Sequence, residues 1–223
     1  MNHRAERPRI FLLSPANCGG LRGRMVMSER ATFPLAARLR GEAGAPIGDV
    51  FSFMSGLYFR GKLAYARAFA NPPDRESPIS GPGVFVITPG AGLRSADTLV
   101  TIEALRAFAQ VEVAAANPVY RIPLERSAAA IAADLRSTGA DCDVVLLGSI
   151  ASSKYVDVLE GIFGDRLMFP SDFVGRGDMS RGGLLLRRVS EGQELDYVPV
   201  TGTIRHGQRP PRLDPATRPR AKV

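Results

Sequence analysis

The chain reads as an α/β protein, a mainly parallel central sheet flanked by helices with antiparallel edge strands. Three observations predict this. Short continuous apolar runs recur at residues 10–13, 84–87 and 144–147, each the length of a strand buried on both faces. Each run opens into a segment rich in glycine and small residues. Amphipathic helical patterns fill the intervals, and that alternation builds βαβ units around a parallel sheet. Ligands of open α/β sheets collect where strands end. The exits at residues 14–24, 88–93 and 148–155 are therefore expected along one edge, with residues near Asn17, Thr88, Ser149 and Asp172 facing a shared pocket.

The first run, IFLL, opens into SPANCGGLRGR, residues 14–24. Its glycines let backbone amides approach a ligand, and the guanidinium groups of Arg22 and Arg24 suit phosphate or carboxylate. The spacing is neither a dinucleotide fingerprint nor a phosphate loop. A short helix is predicted over residues 33–39 and a longer one over residues 49–69. In the longer one Val50, Phe53, Met54, Leu57, Tyr58, Tyr65 and Phe69 recur at helical spacing. Gly56 and Gly61 place a break between residues 55 and 62. The aromatic stripe is read as core, and Arg60, Lys62 and Arg67 as a solvated face. Residues 71–82 form a surface loop rich in Pro, Ser and Asp.

The second strand, residues 84–87, opens into TPGAGL. A helix over residues 101–109 turns Ile102, Leu105 and Phe108 inward. Leu124, Ala128, Ile131 and Leu135 mark another, ending before Gly139. The third strand opens at Gly148 and Ser149 into a helix over residues 154–163, with Val156, Leu159, Ile162 and Phe163 on one face. A strand at residues 167–169 runs into a polar loop holding Asp172, Arg176, Asp178 and Arg181. Residues 184–186 and 197–200 read as later strands, antiparallel additions at the edge. Residues 1–204 make one α/β domain. Residues 205–223 form a basic tail rich in Arg and Pro that cannot bury a core.

Composition narrows the partners. The 223 residues are 45% hydrophobic, enough for a substantial core. The net charge is +7 and the sequence pI about 10.0, which favours an anionic partner, DNA or a nucleotide-like small molecule. Two cysteines, Cys18 and Cys142, make no disulfide framework and suit a reducing compartment. The two histidines, His3 and His206, lie near the ends, so no ligand set for structural zinc exists, and no metal or other cofactor is expected. No apolar run has the length of a membrane span and no signal-type leader opens the chain. The expected location is the cytoplasm, with no membrane partner.

Two stretches resemble the YaaA family of peroxide-stress-associated proteins. One is LSPAN, residues 13–17, at the end of the first strand. The other is MSGLY, residues 54–58, similar to the family's Ser-Gly-Leu-Tyr stretch; order and separation also fit. The chain departs from the family at Asn17, Cys18 and Gly19, where members carry Lys-Thr-Leu, and after Tyr58, where members carry Gly and then Leu-Arg-Pro. The resemblance implies an α/β fold associated with DNA binding. Divergent relatives occur in gene clusters that place 7-deazaguanine bases in DNA, and one is linked to converting a cyano-deazaguanine base to its amide. By position it reaches only Ser14, Pro15, Ala16, Ser55, Gly56, Leu57 and Tyr58.

On this reading the chain is an enzyme acting on a purine-like base. The alternatives are a DNA-binding protein without catalysis, and a nucleotide hydrolase or transferase. Such a base needs a slot with convergent hydrogen bonds and an apolar wall. Asn17 and Asp172 are candidates to read its edge, Tyr58 to wall it, and Lys154 and Arg176 to hold phosphate. For hydration of a cyano group two routes are open. Cys18 attacks, its pKa lowered near Arg22 and a helix start, or it is merely a small buried residue. Asp172 or Asp178 acts as base toward water, or each only pairs with Arg176 or Arg181 to fix the loop. Ser149 and Lys154 resemble a Ser–Lys pair without a histidine; alternatively Lys154 binds an anion or is simply exposed. Ser14, Arg22, Arg24, Ser55, Gly148 and Arg181 complete the expected binding set.

Overall fold

Residues 7–151 and 153–203 are described by a computed structural model. The expected basic tail lies outside the described residues. The six-stranded sheet is built from β1 (Arg9–Leu13), β3 (Val84–Thr88), β4 (Gly92–Ser95), β6 (Asp143–Leu147), β7 (Leu167–Pro170) and β8 (Tyr197–Pro199), in the order β4-β3-β1-β6-β7-β8. β3, β1, β6 and β7 run parallel, while β4 and β8 add antiparallel edges. In register, Phe11 stands between Val84 and Val145. A separate two-residue pairing joins β2 (Ala45–Pro46) to β5 (Leu99–Val100).

The apolar runs are strands because both faces of the sheet are covered. Side chains alternate across a strand. Phe11, Leu13, Val145 and Leu147 therefore enter one core and Ile10, Leu12, Val144 and Leu146 the other. The first core lies under α1 (Leu21–Met27), α2 (Pro34–Arg40), α3 (Ile47–Ser55), α4 (Leu57–Phe69), α5 (Ile102–Ala109) and α8 (Asp178–Glu191). The second lies under α6 (Pro118–Ser137) and α7 (Ser153–Phe163). A fully buried Phe, Leu or Val in these layers contributes about 1.5–3 kcal/mol.

The break expected in the long helix falls between α3 and α4. Gly56 sits there with φ +66°, a left-handed turn that only glycine adopts freely. The aromatic stripe is core, with Phe51, Tyr58, Phe59 and Tyr65 buried.

Several expectations need correction. Residues 184–186 are helix, inside α8, with Leu184 and Leu185 buried; three apolar residues in a row are too few to show a period. The TPGAGL exit is a hairpin turn, not a strand-to-helix exit. Thr88 Oγ1 donates to the Gly92 carbonyl (2.8 Å) and accepts from Ala91 N–H (2.9 Å), folding β4 back beside β3. α6 begins at Pro118, under an Asn117 side-chain cap, and continues through Pro123. Finally, Lys62 is not on a solvated face; it is 1% exposed.

Taken by chain order, the parallel strands read 2-1-3-4 across the sheet. The connections after β1 and after β6 leave in opposite directions, so the crevice between those two carboxyl ends is the topological switch point. Backbone stitches it shut at its base, where Ser14 N–H donates to the Leu147 carbonyl at 3.2 Å.

Candidate functional site

A cavity of about 570 Å³ opens at this switch point. Its floor is the β1 exit, Ser14 to Gly19. One wall is Ser149, Lys154 and Tyr155 from the β6 exit and the start of α7. Tyr58 and Asp178 enter from the first turns of α4 and α8, and Pro89 follows β3. Phe108, Val111 and Val113 supply apolar surface, with Glu112 at the rim. Ser14 to Asn17 and Tyr58, far apart in the chain, thus meet at one place.

Half of the expected site residues converge here: Ser14, Asn17, Cys18, Tyr58, Ser149, Lys154 and Asp178 all line the cavity. Gly148 lies directly behind it. A Cβ there would stand 2.8 Å from the Tyr155 hydroxyl and 2.9 Å from Ser14 Cβ, so only glycine lets these side chains close up. Thr88 is wholly buried and is represented at the cavity by its neighbour Pro89.

Other expected residues are placed elsewhere. Asp172 does not line the cavity; it lies in a short turn after β7, where its carbonyl accepts from Arg176 Nε at 2.9 Å. The Asp172–Arg176 contact is therefore through backbone, not a carboxylate ion pair. Arg181 does pair with Asp178, at 3.6 Å, and also donates twice to the Phe173 carbonyl. Arg22 donates to the Phe53 carbonyl and Arg24 to the Gly19 carbonyl, so both brace the β1 exit from outside. Ser55 is exposed at the end of α3.

Of the two readings the sequence leaves open for Cys18, the structure matches the small buried residue and not the activated thiol. Cys18 is 3% exposed, and burial pushes its pKa up to about 12. Arg22, expected to lower it, points instead to Phe53.

Ser149 and Lys154 do not form the Ser–Lys pair either. The backbone N–H and carbonyl of Ser149 both bond the Tyr155 hydroxyl, each at 3.0 Å, and Lys154 is exposed. The Ser–Lys contact in this fold is between Ser14 and Lys62. Lys62 Nζ lies 2.8 Å from Ser14 Oγ and 2.8 Å from the Ser14 carbonyl oxygen. The rings of Tyr58 and Phe59 flank the amine at 4.7 and 4.5 Å.

Among the described residues no carboxylate forms an ion pair with Lys62; Asp178, the nearest acidic influence, is committed to Arg181 and largely exposed. Burial without a counter-ion lowers the Lys62 pKa from about 10.5 to about 7, with Asp178 opposing the shift and Arg181 adding to it. Sequence reasoning missed Lys62 because it lies in a run with Arg60 and Arg67. The available signal was spacing: Lys62 follows Tyr58 by one helical turn and so shares its inward face.

Tyr58 adds a second unusual group. It is 7% exposed, and its hydroxyl has no well-formed hydrogen bond among the described residues. Arg181 acts on the phenol by its charge and by a weak hydrogen bond of poor geometry, which leaves the hydroxyl poorly satisfied. A buried unpaired hydroxyl costs about 1–3 kcal/mol, and a ligand in the cavity would relieve that. The Tyr155 phenol is raised by burial, partly offset by the Ser149 backbone and by Ser14.

No group of three or more His, Cys, Asp or Glu side chains among the described residues is placed to hold a metal ion. No helix among them is long and apolar enough to cross a membrane. Comparison with protein-family models, with curated proteins and with solved structures finds no match to this chain.

Proposed function

We propose that the chain is a hydrolase or hydratase acting on a purine-like base of the 7-deazaguanine type, with hydration of a cyano group to an amide as the reaction. The observation that carries the reading is the cavity at the β1/β6 switch point. It joins an apolar slot to Ser14, whose hydroxyl contacts the buried Lys62 behind the cavity wall. Its volume, about 570 Å³, suits a nucleoside-sized ligand. Tyr58, Phe108, Val111 and Val113 offer a flat apolar ring its walls. The Asn17 amide, whose Oδ1 accepts from Gly19 N–H at 3.1 Å, keeps its NH₂ for a base edge.

The test is to incubate the protein with a cyano-deazaguanine as free base, as nucleoside and within duplex DNA, and to read the gain of one water by mass. Conversion of one of the three supports the reading. No conversion of any, with a correctly folded protein, counts against it.

A second reading, DNA binding without chemistry, draws on the net charge of +7. It expects affinity to fall steeply with salt and little base preference. It also expects most affinity to go when residues 205–223 are removed, and unchanged binding by the shortened chain contradicts it.

A further inference from the structure

We infer that Ser14 is a nucleophile and Lys62 the base that takes its proton, so that the cavity works through a covalent intermediate on Ser14 Oγ. This rests on the cavity being a reaction site, and not on which base enters it.

Ser14 is the first residue beyond β1, so a buried strand fixes its backbone while its side chain borders the cavity. The Ser14 carbonyl oxygen accepts one N–H of the amine at 2.8 Å, which orients Nζ. In the neutral amine that contact leaves the lone pair to accept the Oγ–H, also at 2.8 Å. The groups facing the amine are few: the Tyr58 and Phe59 rings on its own helix, and Asp178 and Arg181 from α8. A lysine that merely braced the loop would be expected to carry a paired carboxylate, since burying an unpaired ammonium is costly. Here the site favours the amine that can accept a proton. A serine activated by a lysine is a known alternative to one activated by histidine.

The step balances without an oxidant. Ser14 Oγ bonds to the carbon of a carbon–nitrogen triple bond, and the Oγ proton passes to Lys62 Nζ. One π electron pair moves to that nitrogen, which takes the proton back from Lys62, leaving an imidate on Oγ. Water then adds at the same carbon, the carbon–Oγ bond breaks, and Oγ recovers a proton. The net change on a nitrile is one added water. Tyr155, held by the Ser149 backbone beside Ser14, is a positioning residue in this scheme.

An alkyl fluorophosphonate tests this without a known substrate. Ser14 Oγ bonds phosphorus, fluoride leaves, and the proton passes to Lys62. Intact mass and peptide mapping should show one adduct, on Ser14, and none in Ser14→Ala. Lys62→Met, which keeps apolar bulk and drops the base, should label about 100-fold more slowly or worse. The wild-type labelling rate should rise with pH through an apparent pKa of about 7. Urea unfolding of Lys62→Met checks that it folds, and the wild-type pH profile stands without it. An adduct on another residue, no adduct on the folded wild type, or equal labelling of Lys62→Met overturns the inference. Labelling at Ser14 with no base converted supports the pair and contradicts the base reading. Base conversion that persists in Ser14→Ala does the reverse.

Discussion

Replacing Lys62 by methionine should change how stability depends on pH, and the size of the change follows from the burial of the amine. The ammonium is 1% exposed and has two oxygen acceptors, both on Ser14, in place of water. Its pKa falls to about 7 in the folded chain, against about 10.4 in an unfolded one. Between those values the unfolded chain binds a proton that the folded chain does not. Stability therefore rises with pH across that window, by up to about 1.4 kcal/mol per unit. Below about pH 7 both states hold the proton and this contribution flattens out. From pH 7 to pH 9 the wild type should gain about 2 kcal/mol relative to Lys62→Met. The tyrosines whose pKa is raised by burial, such as Tyr65 and Tyr120, act in the opposite sense only above about pH 10. They are common to both proteins and cancel in the difference. Urea denaturation followed by circular dichroism at several pH values gives that difference directly. The lost hydrogen bonds add a constant and leave the slope untouched. A difference that stays flat from pH 7 to pH 9 would mean that the amine keeps its proton in the fold, and the argument from burial would be wrong.

Three further outcomes are expected. Gly182→Ala puts a Cβ 2.8 Å from Tyr58 Cα and forces α4 and α8 apart, whereas Gly183→Ala meets nothing within 4 Å. Thermal unfolding should show a loss of about 1–3 kcal/mol for the first and a gain of up to about 1 kcal/mol for the second; equal effects would refute the close packing of these helices. Tyr58→Phe removes a buried hydroxyl that has only a poorly formed contact with Arg181, and should leave the free protein as stable or up to about 1 kcal/mol more stable while weakening ligand binding in the cavity; a clear loss of stability would show that the Arg181 contact is a full hydrogen bond. Gly148→Ala should displace Ser14 and Tyr155 together and cut fluorophosphonate labelling with a smaller effect on melting, and full labelling would contradict the crowding seen there.

The sheet was legible in the sequence because its parallel strands are buried on both faces and so appear as unbroken apolar runs. The broken helix was legible because Gly56 interrupts a strong stripe. What failed was short or local. Residues 184 to 186 look the same in a strand as on one face of a helix until the flanking residues are paired. The site was half legible, since switch-point logic names strand exits but not what reaches them from across the layer. Asn17 and Ser149 lie on exits. Lys62 arrives from the middle of α4, and its contact with Ser14 is visible only once α4 is seen packed over β1. Asp172 and Asp178 sit six residues apart in the sequence, and only the second, at the N-terminus of α8, faces the cavity.

The most direct measurement is an amide-resolved NMR titration with a cyano-deazaguanine nucleoside. The account predicts that shifts concentrate at residues 14–19, 108–109 and 111–114, and at Tyr58, Ser149, Lys154 and Tyr155, which line the β1/β6 crevice. Shifts confined to the opposite edge of the sheet, around Arg7, Gln193 and Tyr197, would contradict it.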